Sequence, residues 1–364
     1  MASDIPGLMS AVLLTGHGGF ESLEYRDDIP VPEAQAGEVL IRVGAAGVNN
    51  TDINTRIAWY SKSVTSATNA GGAAGFAGAD VADGGWSGEA LHFPRIQGAD
   101  CCGRIVAVGD GVDPSRIGER VLVRSIQATA AEGDFACRTF GSESDGGFAQ
   151  YAKTWAVDAI KIESELSDIE LASFPCAYST AEGMLQRAAV GADRVLITGA
   201  SGGVGSAAVQ LAKRRGASII GIASAAKAAA VAALGADRVI DRDADLVEAL
   251  GRDSVDVVVD LVAGPGWPQL LEVLRRGGRY ATSGAIAGPI VELDVRTLYL
   301  KDLSFFGCTF QPNDIFETLV KYIERGEVKP VVAGSYALKD IVQAQQDFLA
   351  KLHTGKLVLV PPQD

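Results

Sequence analysis

The sequence predicts an α/β protein organised on a doubly wound parallel sheet, with a second, β-rich domain beside it. Three observations carry that expectation. Residues 195–213, VLITGASGGVGSAAVQLAK, run from four apolar or β-branched residues through a glycine cluster into a helical spacing of Ala207, Ala208, Leu211 and Ala212, which reads as strand, tight turn and helix. Further apolar runs at 218–222, 238–241, 255–260, 278–283 and 303–307 alternate with helical patterns at 225–234 and 267–276 that glycines close. Repeated βα alternation builds a parallel sheet. Finally, the chain has 364 residues, and this unit accounts for only about half of it, so a second domain is required.

The glycine cluster has the makings of a phosphate cradle. A dinucleotide pyrophosphate approaches the first turn of a helix only where no side chain intervenes, and there the unpaired N–H groups and positive dipole end receive it. Gly202, Gly203 and Gly205 clear that approach, with Val204 among them. Against the fingerprint G-x-G-x-x-G, Ala200 takes the first glycine position, Gly202 the second and Gly205 the third, so one position departs from the pattern.

From the N-terminus, residues 11–57 alternate short β patterns with turns, and 38–45 alternates so that Val39, Ile41 and Val43 share a face. Residues 61–88 are rich in Gly, Ala, Ser and Asp and read as an insertion, either near the substrate mouth or merely solvated. Trp59, Tyr60, Trp86 and Phe93 around it either line a pocket or anchor the loop. Strand-like runs follow at 93–112 and 116–123, separated by the turn formers Asp110, Gly111, Asp113 and Pro114, with more β structure through 146–162. The capping box Ser167-x-x-Glu170 predicts a short helix that stops at Pro175, and a second helix begins near Thr180. After residue 307, Ile315, Leu319 and Ile323 share one helical face, and Ile341, Gln345, Phe348 and Leu352 another. A last strand, 356–360, is expected to rejoin the N-terminal sheet, which makes the dinucleotide unit an insertion in the other domain.

A formal net charge of −13 disfavours nucleic-acid and anionic-membrane partners, which reward clustered Lys and Arg. No run approaches a membrane span and residues 1–10 lack a signal-peptide core, so the expected location is the cytoplasm. The five cysteines form no C-x-x-C pair and read as reduced thiols. Only three histidines exist, too few for a histidine-rich metal site.

Taken jointly, GEVLIRVGAAGVNNTD, QGADCCGRIVAVG, GERVL, GGFAQYA, CAYSTAEGML, GASGGVG, LGAD, GGRYATSGAIAG and the terminal GKLVLV resemble the medium-chain dehydrogenase/reductase superfamily over nearly the whole chain. The resemblance implies a GroES-like catalytic domain from residues 1–160 and 313–364, a Rossmann domain at 161–312, and an active site in the cleft between them. Zinc alcohol dehydrogenases of this superfamily carry a cysteine where Asn49 stands and a histidine where Ala99 stands. Cys176 keeps the third ligand position and Asp100 the acidic one, too few for a tetrahedral site, so no metal is expected. The GVN of Val48 and Asn49, followed by Asp52 and Arg56, resembles instead the zinc-independent quinone oxidoreductase and enoyl reductase branch, in which the asparagine lies beside the nicotinamide. A turn residue satisfying its own backbone is the other reading of Asn49.

NAD-binding Rossmann folds place an acidic residue at the end of the second strand, where it would repel a 2′-phosphate. Ala223 occupies that position here, while Ser224 and Lys227 offer a donor and a charge, and Arg242 is a further candidate. NADP(H) is therefore the expected cofactor. Without a metal to polarise a carbonyl, the natural hydride acceptor is a small electron-poor molecule, a quinone or an α,β-unsaturated carbonyl. The expected catalytic residues are Asn49, Asp52, Tyr60 and Thr180. The resemblance sets the nicotinamide near Asn49, Thr180 and the turn Ser283, Gly284, Ala285 and Ile286, with the proton coming from Tyr60 or from water. Two other classes stay open: an alcohol dehydrogenase with unusual ligands, and a non-catalytic NADPH-binding module. The apolar edge strand at 303–308 predicts a homodimer or homotetramer.

Overall fold

The apolar run that opens the chain becomes strand β1 (Leu8–Leu14), paired antiparallel with β2 (Leu23–Pro30). In β3 (Glu38–Gly47), Val39, Ile41 and Val43 are wholly buried, as their alternation requires. The computed structural model describes residues 5–129 and 135–363. Within them the chain forms two units, one comprising residues up to Val64, Ala70–Cys176 and Pro312 onward, the other Thr65–Asn69 and Ala177–Gln311.

The first unit continues with β4 (Arg95–Ile96), β5 (Cys102–Val108), β6 (Arg120–Val123), the paired β7 (Ile126–Ala128) and β8 (Cys137–Thr139), β9 (Tyr151–Trp155) and β10 (Ala159–Lys161). In the second unit, β11 (Arg194–Ile197), β12 (Ser218–Ala223), β13 (Arg238–Asp241), β14 (Val255–Asp260), β15 (Leu274–Thr282) and β16 (Ser304–Gly307) form one sheet of order β13-β12-β11-β14-β15-β16. Every ladder in it is parallel. The order turns back beside β11, the switch point at which such sheets bind ligands. The chain then returns to the first unit with β17 (Val332–Ala337) and β18 (Lys356–Val360). There β10-β6-β5-β3-β18-β17 form a sheet to which β9 adds through β3, and β2-β1-β4 form a second. The last strand thus does pair antiparallel with the N-terminal β3.

Several local expectations shift. Residues 50–56 lie in a stretch read as β patterns and turns but form helix α1 (Asn50–Arg56), with Asn49 as its N-cap. The capping box of Ser167 and Glu170 is present on the short α2 (Asp168–Leu171). The next helix, α3 (Pro175–Arg187), begins at Pro175 rather than near Thr180, because proline lacks only an N–H that the first turn does not use. The helix that follows the glycine turn is α4 (Gly203–Arg214). The helical pattern at 267–276 ends at Val273, in α5 (Trp267–Val273), because Leu274 joins the sheet opposite Val255 and Gly277 turns at φ +71°. Ile315, Leu319 and Ile323 are buried on α6 (Asn313–Glu324). Ile341, Gln345 and Phe348 are buried on α7 (Ile341–Ala350), but Lys351 turns left-handed, so Leu352 leaves that face and is 87% exposed. Among the described residues no helix is long and apolar enough to cross a membrane.

Candidate active site

Two ladders decide what surrounds Asn49. On one side of β3, β18 pairs Val358 with Gly47, and that register carried two residues further sets Lys356 opposite Asn49. On the other side, β5 pairs Ala45 with Cys102, which sets Asp100 opposite Gly47. Strand β3 separates the two neighbours, yet Lys356 Nζ reaches Asp100 Oδ2 at 2.7 Å. The side chains cross over Gly47, where a Cβ would collide with the Asp100 carboxylate and press on Lys356 Cε. Glycine at this position makes the ion pair possible.

The Lys356 ammonium is 3% exposed and its three protons have three acceptors: Val48 O at 3.0 Å, Asn49 Oδ1 at 2.5 Å and Asp100 Oδ2 at 2.7 Å. Asp100, fully buried, also accepts from Asn49 Nδ2 at 2.8 Å and, through Oδ1, from the Cys176 N–H at 2.6 Å. The second Nδ2 proton points to Gly47 O at 3.3 Å. These partners leave the Asn49 amide one orientation. Reversed, it would turn its NH2 against an ammonium and its carbonyl against a carboxylate.

The Asn49 N–H donates to Asp52 Oδ2 at 2.7 Å, closing the start of α1. Burial pushes the Asp52 carboxyl up to about 7; the Asn49 N–H and the Lys356 charge oppose the shift and the Asp100 charge adds to it. Gln97 Nε2 donates to Asp52 O at 2.9 Å. Tyr60 donates to Thr51 Oγ1 at 3.1 Å, and burial raises its phenol well above the usual range, so it stays protonated. Trp59 and Phe93 pack against the core of this unit, which makes them anchors of the insertion. Arg56 is fully buried and ties three segments together, donating to Gly18 O at 2.8 Å, Gly72 O at 2.6 Å and Gln345 Oε1 at 2.9 Å, with Phe20 beneath it.

In the second unit, α4 starts at Gly202, where a Cβ would meet nothing nearer than Gly199 O at 3.4 Å. At Gly205 a Cβ would collide with Gly199 O and Ala200 Cα, so helix and turn can close only on glycine. The start of the helix, at Gly203 and Val204, is open for a diphosphate, and these residues fit that group. Ala223 ends β12, Ser224 follows, and Arg242 N donates to Ala223 O at 3.2 Å. Burial and the nearby Arg242 charge both lower the Lys227 ammonium, so two cations stand together beside Ser224. Thr180 is half-buried on α3, and one turn on, Met184 accepts from Ser283 Oγ at 3.1 Å, which joins that helix to the 283–286 turn. Ala287 N, which follows Gly284, Ala285 and Ile286, donates to Val262 O, and Thr68 N donates to Ile286 O at 3.2 Å. A piece of the insertion thus braces the turn.

Asn49, Asp52 and Tyr60 therefore gather in the first unit, and Thr180 lies with the glycine turn, Ser224, Lys227, Arg242 and the 283–286 turn in the second. Sequence reasoning missed Lys356. A lysine opening the buried run KLVLV, where nothing but a paired charge is tolerated, is the signal that pointed to it.

Comparison with known proteins bears on this arrangement. Residues 35–164 match the alcohol dehydrogenase GroES-like domain and 203–325 the zinc-binding dehydrogenase family. The crystal structure of a putative alcohol dehydrogenase from Sinorhizobium meliloti 1021 is 45% identical, with a TM-score of 0.87 over 99% of this chain and 98% of that one. The chain belongs to the medium-chain dehydrogenase/reductase superfamily. Acryloyl-coenzyme A reductase of Metallosphaera sedula is 29% identical over 96% of this chain and 99% of its own, and human quinone oxidoreductase is 27% identical over 97% and 98%. As a superfamily member the protein is an oxidoreductase of small molecules that uses a nicotinamide cofactor. The zinc in that family description does not fit the residues present. An ammonium occupies the Asn49 and Asp100 oxygens, and among the described residues no three His, Cys, Asp or Glu side chains gather to hold a metal.

Proposed function

We propose that the protein is an NADPH-dependent reductase that delivers hydride to a quinone or an α,β-unsaturated carbonyl compound without catalytic zinc. The observation that carries this reading is the Lys356 ammonium bound to Asn49 and Asp100, at positions to which the resemblance assigns the ligands of zinc-dependent members. An acceptor here must supply its own electron deficiency. Relatives named quinone oxidoreductase and acryloyl-coenzyme A reductase reduce such acceptors by name.

When bound, NADPH supplies hydride from its nicotinamide. The chain's own residues bind and orient. Gly202, Gly203, Val204 and Gly205 with Ala200 receive the diphosphate. Ser224, Lys227 and Arg242 receive a 2′-phosphate, whose charge relieves the repulsion between the two cations. Asn49, Thr180 and the 283–286 turn hold the nicotinamide. Hydride addition leaves an enolate or quinolate oxygen, and the neutral Tyr60 phenol, once its O–H turns from Thr51 Oγ1 to that oxygen, is a donor able to stabilise it and pass on a proton, with water as the other source. The exposed Phe305 on β16, an edge strand, and the exposed Val295, Tyr299 and Leu300 support a homodimer or homotetramer.

The test is a screen of NADPH oxidation against quinones, enones, enals and simple aldehydes, before and after dialysis against a chelator. Turnover of the first three that survives the chelator is expected. The name of the Sinorhizobium meliloti relative favours a second reading, an alcohol dehydrogenase. Turnover confined to alcohols and aldehydes, or activity lost to the chelator and restored by zinc, would establish that reading instead.

A further inference from the structure

We propose that Lys356 is a positioning residue of this reductase: its buried ammonium, set by the β18–β3 register and paired with Asp100 across Gly47, is a built-in cation that locks the Asn49 amide in one orientation. The inference rests on the reductase reading and adds a residue that was not among the expected site residues.

The geometry is specific. A buried ammonium needs an acceptor for each of its three protons, and here the two not taken by Asp100 go to Asn49 Oδ1 and Val48 O, just before the start of α1. The carboxylate takes the other end of the same amide. An amide has nearly the same shape when reversed, so packing alone discriminates its two orientations poorly, whereas opposite charges at its two ends discriminate strongly. The same ammonium acts on Asp52, which Asn49 holds through its backbone N–H. The chain's last strand therefore reaches into the site and orients two of its side chains without touching the acceptor.

The experiment removes the charge in two ways. Lys356→Met leaves Asp100 buried and unpaired, so both the melting temperature and turnover should fall. In Lys356→Met with Asp100→Asn the unpaired Asp100 charge is gone as well, and the melting temperature, taken at pH 6 or below where Asp52 is protonated, should recover while nothing dictates the amide orientation. That double variant should keep the unmodified protein's KM and NADPH Kd within about twofold, while kcat falls at least about tenfold. If it does not fold, Lys356→Gln with Asp100→Asn, which fills the space with neutral hydrogen-bonding side chains, is measured in its place. Full kcat in the folded double variant, a loss that falls on KM or NADPH Kd instead, or failure of both double variants to fold would each make the pair purely structural and overturn the proposal. The comparison uses the ratio of variant to unmodified protein on whichever acceptor turns over. A protein without turnover on any acceptor would defeat the reductase reading, and the positioning role with it, through a different result.

Discussion

Replacing Asp52 by asparagine tests the electrostatics of the site directly. Burial raises this carboxyl from 3.8 to about 7 in the folded protein, against the Asn49 N–H and the Lys356 charge. At about 1.4 kcal/mol for each tenfold change in proton affinity, the displacement corresponds to about 4 kcal/mol. Because the folded pKa lies above the unfolded one, folding takes up a proton between about pH 4 and 7. The contribution to stability is fully present below about pH 4 and is lost as pH rises through about 7. Asparagine keeps an acceptor for the Asn49 N–H and removes the titration. Urea unfolding of both proteins from pH 5 to 8 should show the unmodified protein losing about 2–3 kcal/mol relative to Asp52→Asn across that range. Parallel profiles would refute the reasoning, since they would mean that Asp52 titrates alike in the folded and unfolded chains.

Four further outcomes are expected. Lys227→Glu should weaken NADPH by on the order of tenfold or more and leave NADH nearly unchanged, because a charge-assisted hydrogen bond is worth about 1.5–3 kcal/mol; equal Kd values for the two cofactors in the unmodified protein would refute the 2′-phosphate assignment. Asn49→Ala should lower turnover roughly five- to hundredfold with the fold intact, as judged by circular dichroism and kcat. Arg56→Met leaves Gly18 O, Gly72 O and Gln345 Oε1 without their donor, so a melting experiment should show a loss of at least about 3 kcal/mol. Phe305→Glu places a charge beside the open edge of β16 and should shift light scattering from oligomer to monomer; a monomeric unmodified protein at micromolar concentration would remove that argument.

How much of this was readable beforehand varies by element. The glycine turn was, because its requirement is local: a strand, a run without side chains and a helix start lie within one short stretch, and the Gly205 and Gly202 environments follow from it. The βα alternation and the return of the last strand to the N-terminal sheet were also readable, since hydrophobic period reports local structure directly. Helix α1 was missed because NNTDINTR has little apolar periodicity, and its N-cap is held by Asp52 within a tertiary site. The end of α5 was missed because residues 274–276 continue a helical pattern until sheet pairing with Val255 overrides it.

The motifs in order of sequence were enough to determine the superfamily and the insertion of the parallel-sheet unit, because each of these resides in contiguous segments. Only tertiary structure could decide that Lys356 faces Asn49 and Asp100. Those three residues lie on or beside strands far apart in the chain, and the side chain of one reaches the other because β-ladder registers align them and Gly47 leaves the space between them empty. Register is a property of paired strands, set by the whole core on which they pack, so no window of sequence contains it.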